Sequence, residues 1–330
     1  MNETASLPPR ARIRAALERP WVGPLLALAV VYLLFVALSP DTFARGANLV
    51  TMARQTAVVG IAASGMTLVI ILGGIDLSVG SLVALTTVIV AALLRSGAGV
   101  AVAVIAAVGV AASAGAVSGT LTARLGITPF IVTLGAMSVL RGAAKGIARE
   151  QKIDVDAHGL DALVAPLEGG ARWLLFPPSV YLMLTVAALT AILLHHTRFG
   201  RHVVAVGSNE ETARLCGIDV ARVKIAVYAL AAALAGLAGV IEFGTLTVGD
   251  PTDSFGLELS VIASVVIGGG SLSGGEGSVA GAIIGGLLMT VIKTGCTHLG
   301  LPNWVQELLT GGIIVTAAAI DKLRRSRRAG

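Results

Sequence analysis

The chain has 330 residues, 55% of them hydrophobic and only 13% charged, with a net charge of +5 and a mean hydropathy of +0.87. A soluble domain carries about 25% charged residues, so this composition excludes an ordinary soluble enzyme, a disordered chain and a nucleic-acid-binding module. It leaves a polytopic membrane protein.

Glycine supplies 41 positions, about 12% of the chain where about 7% is usual. Aromatic residues are scarce, so the apolar content is Ala, Val, Leu and Ile. Small residues let helix backbones approach closely in lipid, where the hydrophobic effect no longer drives helices together. The composition predicts an all-α bundle of tightly packed membrane helices.

The first twenty residues carry Arg10, Arg12, Arg14 and Arg19, and an apolar run over 21–38 follows. Basic residues before an apolar run imitate a signal peptide, and Ala37-Leu38-Ser39 imitates a cleavage site. The run exceeds an h-region of about 7–15 residues, so it reads as an uncleaved first span. Further apolar runs at 52–72, 81–95, 98–122, 128–147, 174–195, 223–248, 257–268, 278–296 and 304–320 predict ten spans. Those at 81–95 and 257–268 are short. The second run ends in Gly73-Gly74-Ile75-Asp76-Leu77-Ser78-Val79-Gly80, and the eighth meets the Gly-rich stretch 268–277.

Basic residues also concentrate in 196–224 (Arg198, Arg201, Arg214, Arg222, Lys224) and in the last ten residues (Lys322, Arg324, Arg325, Arg327, Arg328). Short basic flanks mark the cytoplasmic side. Six spans before the middle cluster and four after it put all three clusters on one side. The expectation is a cytoplasmic N-terminus over 1–20, a membrane domain over 21–320 and a cytoplasmic tail over 321–330. Within the membrane domain, 196–222 is a cytoplasmic loop and 148–172 an external one, polar through Asp154, Asp156, Asp161 and Glu168. Cys216 and Cys296 fall on opposite sides, which argues against a disulfide.

Residues 73–84 (GGIDLSVGSLVA) echo 269–280 (GGSLSGGEGSVA). The two lie about five or six spans apart, and an odd offset would make an inverted repeat.

The five histidines form no metal-binding spacing, and GxxxxGK[ST] is absent, so the chain has no P-loop for ATP. Asp76, Glu242, Glu276 and Lys293 fall at membrane depth, where charge is expensive and faces protein or water. The two Gly-rich breaks free backbone groups to line a polar pathway. The pathway candidates are Gly73, Gly74, Asp76, Ser78, Gly80, Gly269, Gly270, Ser273 and Glu276. Asp76 reads equally as a cap for the helix starting near Leu77-Ser78. Farther on, Val206-Gly207-Ser208-Asn209 signals a turn, and Ser208 or Asn209 can cap a short polar helix that Gly217 ends. That helix reads either as a linker lying on the headgroups or as a docking helix for a cytoplasmic partner.

GGIDLSVGSLVAL (73–85), TPFIVTLGAMSVLRGAAKG (128–146), VGSNEETARLCGIDVARVKIAVYALAAALAGLAGVI (206–241) and VIASVVIGGGSLSGGEGSVAGAIIGG (261–286) together resemble the permease subunit of ribose/xylose/arabinose-type ABC sugar importers. The resemblance implies a type II importer fold in a bacterial inner membrane. Two permease copies, or a copy and a paralogue, would form the pore. Separate ATPase subunits would bind ATP and Mg, leaving no cofactor, metal or catalytic residue on this chain. A periplasmic or surface-tethered binding protein would deliver the sugar.

By the same resemblance 207–219 is the coupling helix, with Gly207, Ser208 and Asn209 at its start, Gly217 at its end, and Glu210, Glu211 and Arg214 facing the ATPase. The implied cargo is a ribose-, xylose- or arabinose-like monosaccharide or a related polyol. Scarce intramembrane charge suits a neutral cargo. Rival readings are an importer of branched-chain amino acids or nucleosides, a stand-alone secondary transporter or channel, and a membrane-embedded enzyme.

Overall fold

A computed structural model describes residues 22–165 and 175–329. The expected N-terminal segment 1–20, and Glu168 with its neighbours in the loop 148–172, lie outside the described residues.

In chain order the helices are α1 (Val22–Leu38), α2 (Pro40–Phe43), α3 (Gly46–Ile71), α4 (Val79–Arg95), α5 (Val100–Arg124) and α6 (Pro129–Ala148). After them come α7 (Pro178–His196), α8 (Arg198–Ser208), α9 (Glu210–Leu215), α10 (Val220–Leu246), α11 (Leu257–Ile267), α12 (Val279–His298) and α13 (Asn303–Ala329). Two-residue strands, β1 (Ile153–Asp154) and β2 (Val248–Gly249), pair antiparallel. Among the described residues, six helices (α3, α5, α6, α7, α10 and α12) are long and apolar enough to cross a membrane. The shorter apolar α1, α4 and α11, with α13, complete the ten expected segments.

Helix α3 forms the centre: 83% of its most apolar stretch is buried, against 17% for α6. The faces of α5 and α6 carry exposed Val102, Ile105, Val117, Ile131 and Val139. Such faces suit hydrocarbon rather than water.

Glycine sets the closest contacts. Gly115 of α5 lies on the backbone carbonyl of Tyr228, and Gly119 lies on Ile225. From the other side, Gly236 and Gly239 of α10 accept Ala111 and Thr86. Close backbone approach of this kind drives helix association where burial of apolar surface gains nothing over lipid.

The two Gly-rich echoes form the same local structure. Gly73 (φ +87) ends α3 while Gly73 N–H and Gly74 N–H bond the carbonyls of Ile70 and Val69. Gly269 (φ +93) ends α11 in the same way, with bonds to Val266 and Val265. Each pair supplies the left-handed residue that satisfies a helix's last carbonyls.

The order of contacts corrects the inverted-repeat expectation for these echoes. Helix α12 is antiparallel to α3 (Ile283 on Gly60, Gly277 on Ile71) and to α11 (Gly281 on Gly268, Gly285 on Ser264). So α3 and α11 run the same way, six crossings apart, and both breaks sit at one end of the bundle. By order of the ten segments, α3–α4 and α10–α11 lie five apart and are built alike. In each, a long helix is followed by an extended stretch and a helix that starts inside the bundle. Val83 and Thr86, early in α4, already pack on Gly239, beyond the midpoint of α10.

A Cβ at Gly115 would strike the Tyr228 carbonyl, whereas Gly109 on the same helix has open space. Gly115→Leu is expected to lower stability by about 1–3 kcal/mol through overpacking. Gly109→Leu should leave it unchanged, and thermal unfolding in detergent compares the two.

Candidate coupling and transport site

Thr197 opens α8, its Oγ1 accepting from Gly200 N–H at 3.2 Å, and Val203 and Val206 pack inward while Arg201 and His202 stay exposed. The helix continues through Ser208, so Gly207 does not open the polar helix as expected. Ser208 bonds back to the Val204 carbonyl instead of capping. Asn209 alone is the cap: its Oδ1 accepts from Thr212 N–H at 2.8 Å and starts α9. Gly217 (φ +81) ends the helix, as its position predicts.

A six-residue helix is too short to persist by propensity. Here Glu210 fastens it, pairing with Arg214 at 3.1 Å and with Lys224 of α10 at 2.7 Å. Glu211 and Leu215, one turn apart on its surface, are exposed, Leu215 at 84%.

Gly207 marks a junction. A Cβ there would strike the Ile71 carbonyl and approach Gly275 N. Gly275 N–H donates to that same Ile71 carbonyl at 2.8 Å, and Gly274 lies against Gly207 and Gly73. The end of α3, both Gly-rich breaks and the segment carrying α9 thus meet at one point. Gly73, Gly269, Ser273 and Glu276 are exposed at this end, while Gly74, Asp76, Ser78, Gly80 and Gly270 are buried. Most of the second break therefore serves the junction rather than the depth of the bundle.

Asp76 turns its Oδ1 to Ser78, accepting from the backbone N–H at 2.8 Å and from Oγ at 2.6 Å. It braces the turn before α4, and the α4 N-cap, Ser78, makes no side-chain cap bond. Thr133 of α6 ties the same stretch down through the Ile75 carbonyl at 3.0 Å.

Deeper in the bundle the beginnings of α4 and α11 meet. Gly80 lies against the Ser254 carbonyl and Glu258 Oε2. Arg141 of α6 holds the stretch before α11, donating to the carbonyls of Pro251 at 3.0 Å and Asp253 at 2.6 Å. Glu258 and Asp253 are within electrostatic reach of Arg141, as are Asp253, Lys293 and Arg54 of Glu242. Sequence reading singled out Glu242 and Lys293 but passed over Arg54, Arg141 and Glu258. A signal for Glu258 existed: an acid two residues after Gly256, in the first turn of a short helix.

Outside the helices, β1 pairs with β2 through Ile153–Gly249 and Asp154–Val248. Lys152 also joins Asp250 at 2.9 Å. The polar loop after α6 thereby clamps the approach to α11. Burial alone would raise the Asp250 carboxyl, but hydrogen bonds from Lys152 and Thr252 and the Lys152 charge outweigh it. Its pKa therefore lies below the usual 3.8. The hydrogen bond to Asp250, and then its charge, raise Lys152 above the usual 10.5.

With this geometry in place, the comparisons with known proteins are decisive. Residues 48–318 match the family described as branched-chain amino acid transport system / permease component. The chain belongs to this permease family. It is 39% identical to the ribose import permease of Escherichia coli (strain K12) over 91% of this chain and 93% of that one. It is 35% identical to the ribose import permease of Bacillus subtilis (strain 168), covering 91% and 92%. The L-arabinose ABC transporter permease of Azospirillum brasilense is 34% identical, covering 97% and 95%. No solved structure matches the chain significantly.

Two outcomes follow from the contacts. An Ala in place of a helical Gly ordinarily stabilises by up to about 1 kcal/mol. Gly207→Ala is expected to do the reverse, lowering the thermal midpoint in detergent, because its Cβ meets the Ile71 carbonyl. The Lys152–Asp250 pair predicts a pH window. A depressed carboxyl stabilises above its unfolded pKa and loses that contribution as pH falls through its folded value; a raised amine loses its contribution as pH rises through its folded value. Asp250→Asn should therefore lower the thermal midpoint at pH 7. The gap from wild type should narrow below pH 3.8 and again above 10.5.

Proposed function

We propose that the chain is the membrane subunit of an ATP-driven importer that carries a monosaccharide of the ribose or arabinose kind into the cytoplasm. The observation that carries this reading is the likeness to ribose and arabinose permeases over nine-tenths of the chain or more.

The geometry supplies a mechanism. The basic end faces the cytoplasm by the positive-inside rule, so α9 projects where an ATPase can reach it. Its exposed Glu211 and Leu215 form the docking face, while Glu210 is committed to Arg214 and Lys224 within the chain. An ATPase that closes on ATP displaces α9, and the displacement reaches both breaks directly through the contacts among Gly207, Ile71 and Gly275. The first break leads into α4, whose start meets that of α11 at Gly80 and Glu258. Motion at the cytoplasmic end thus shifts the meeting point inside the bundle. A second permease copy completes the pore, and a binding protein delivers the sugar at the opposite end.

The description of the matched family favours one alternative cargo, a branched-chain amino acid. Reconstitution separates the readings. Vesicles holding this chain, its ATPase and its binding protein should take up ribose only with ATP, and leucine should not compete. Uptake by the chain alone, or uptake of leucine instead, would overturn the proposal. Glu211→Lys reverses one charge on the docking face. It should weaken co-purification of the ATPase about tenfold, a loss of about 1.4 kcal/mol, with the thermal midpoint of the permease unchanged.

A further inference from the structure

We propose that the stretch 252–256 lines the passage between two permease copies, and that Phe255 is the platform on which the sugar ring stacks as it crosses. The inference rests on the importer reading above and assigns a residue of this chain to its cargo.

Helix α4 fixes the depth of the stretch. Gly249 lies on Thr87, Val88 and Ala91 of that helix, and the Ser254 carbonyl lies on Gly80. The chain thus descends along α4 from β2. Gly80 is about 22 Å along the helix from its far end at Arg95. From Leu257, α11 covers about 16 Å to the Gly-rich break at the opposite end. A hydrocarbon core is about 30 Å thick, so Phe255 falls near its middle.

At that level the stretch lies on the outside of the single chain. Phe255 is 86% exposed, Thr252 is exposed, and Asp253 and Ser254 are half-buried. Irregular backbone at membrane depth is tolerated only against protein or water. Hydrocarbon is therefore not its neighbour in the assembled importer. The adjoining α6 agrees. Ser138, Arg141 and Lys145 share one face of that helix by their spacing, and charge within a span turns to protein or water. A second copy faces the stretch across a water-filled passage.

The stretch is held in shape. Arg141 donates to the carbonyls of Pro251 at 3.0 Å and Asp253 at 2.6 Å. Ser254 Oγ donates to Asp253 Oδ2 at 2.7 Å, and Asp250 Oδ1 accepts from both Thr252 N–H and Thr252 Oγ1. Phe255 stands between two left-handed residues, Ser254 (φ +56) and Gly256 (φ +80). A serine in that region is uncommon, and such strain persists only where the surroundings impose it. Here it accompanies a large apolar side chain turned outward, away from the core that would stabilise it.

The chemistry names the ligand class. A sugar ring carries hydroxyls at its rim and C–H groups on its faces. The face of an aromatic ring is partly negative and attracts those C–H groups without a charge of its own. Small-molecule sites pair such apolar surface with a few polar groups, and Thr252 and Asp253 lie beside Phe255 in the chain. Because the Ser254 carbonyl rests on Gly80, a shift of the first break reaches Phe255.

The test uses vesicles holding the full importer, with Cys216→Ala and Cys296→Ala removing both native thiols. Phe255→Cys should react during turnover with a charged thiol reagent that does not enter lipid, and the reaction should stop ribose uptake. Val110→Cys, on the exposed apolar face of α5, should not react. Thr252→Cys should react in the same way and replaces Phe255→Cys if that variant does not assemble. Phe255→Leu keeps the apolar bulk without the aromatic face. It should lower ribose uptake about fivefold at limiting ribose-loaded binding protein, the scale of one aromatic contact. Phe255→Tyr and Phe255→Trp should retain uptake, and all these variants should keep the wild-type thermal midpoint in detergent. Cysteines at 255 and 252 that stay inert to the reagent overturn the passage. Uptake by Phe255→Leu equal to wild type, or reaction at 255 without loss of uptake, overturns the platform. Wild-type vesicles that take up no ribose overturn the importer reading, while thiol labelling still decides whether the stretch meets water.

Discussion

The structure is governed by one constraint: inside lipid every backbone N–H and C=O must find a partner within the protein. A chain that breaks its helices has to bury each break against other protein. The Ile71 carbonyl, left over at the end of α3, is satisfied by Gly275 N–H from the second break. One orphan group thereby joins two segments about 200 residues apart in the chain, and Gly207 fits beside them because it has no side chain. The same bond that satisfies the backbone connects the segment carrying α9 to the interior.

Small residues make this possible at a second level. In α5 and α10 they let backbones touch, and the tight core around α3 leaves no room for slack between elements. Close-packed elements of this kind transmit displacement rather than absorb it. The exposed apolar faces of α5 and α6 do not share that coupling and belong to the surroundings. Buried carboxylates lie in the stretch 74–81 and the approach to α11, at Asp76, Asp250 and Glu258.

Much of this architecture was legible. Apolar runs located ten segments, although α3 (Gly46–Ile71) starts before its run at 52 and α13 (Asn303–Ala329) ends beyond its run at 320, and glycine pairs marked both breaks. The cap rules found α9 and its end at Gly217, because capping is local chemistry. The order of residues around Gly207 was misread for the same reason: Val206-Gly207-Ser208-Asn209 has the local signature of a turn. Its helical continuation is imposed by packing on α3 and the second break. The echo between 73–84 and 269–280 was real as local structure, since both glycine pairs close a helix alike. Its orientation follows from the same runs: one break ends the second run and the other the eighth, an even separation that leaves them parallel.

Sequence alone determined the class of molecule, its helices, its basic end and the polar helix that projects from it. These follow from composition, periodicity and nearest-neighbour chemistry. Only the tertiary structure decided which breaks meet. It also decided that Tyr228 lies against Gly74 and Glu258 against Gly80. Those residues come from distant parts of the chain, and no spacing rule connects them. Such contacts between distant segments are visible only when every neighbour is in place.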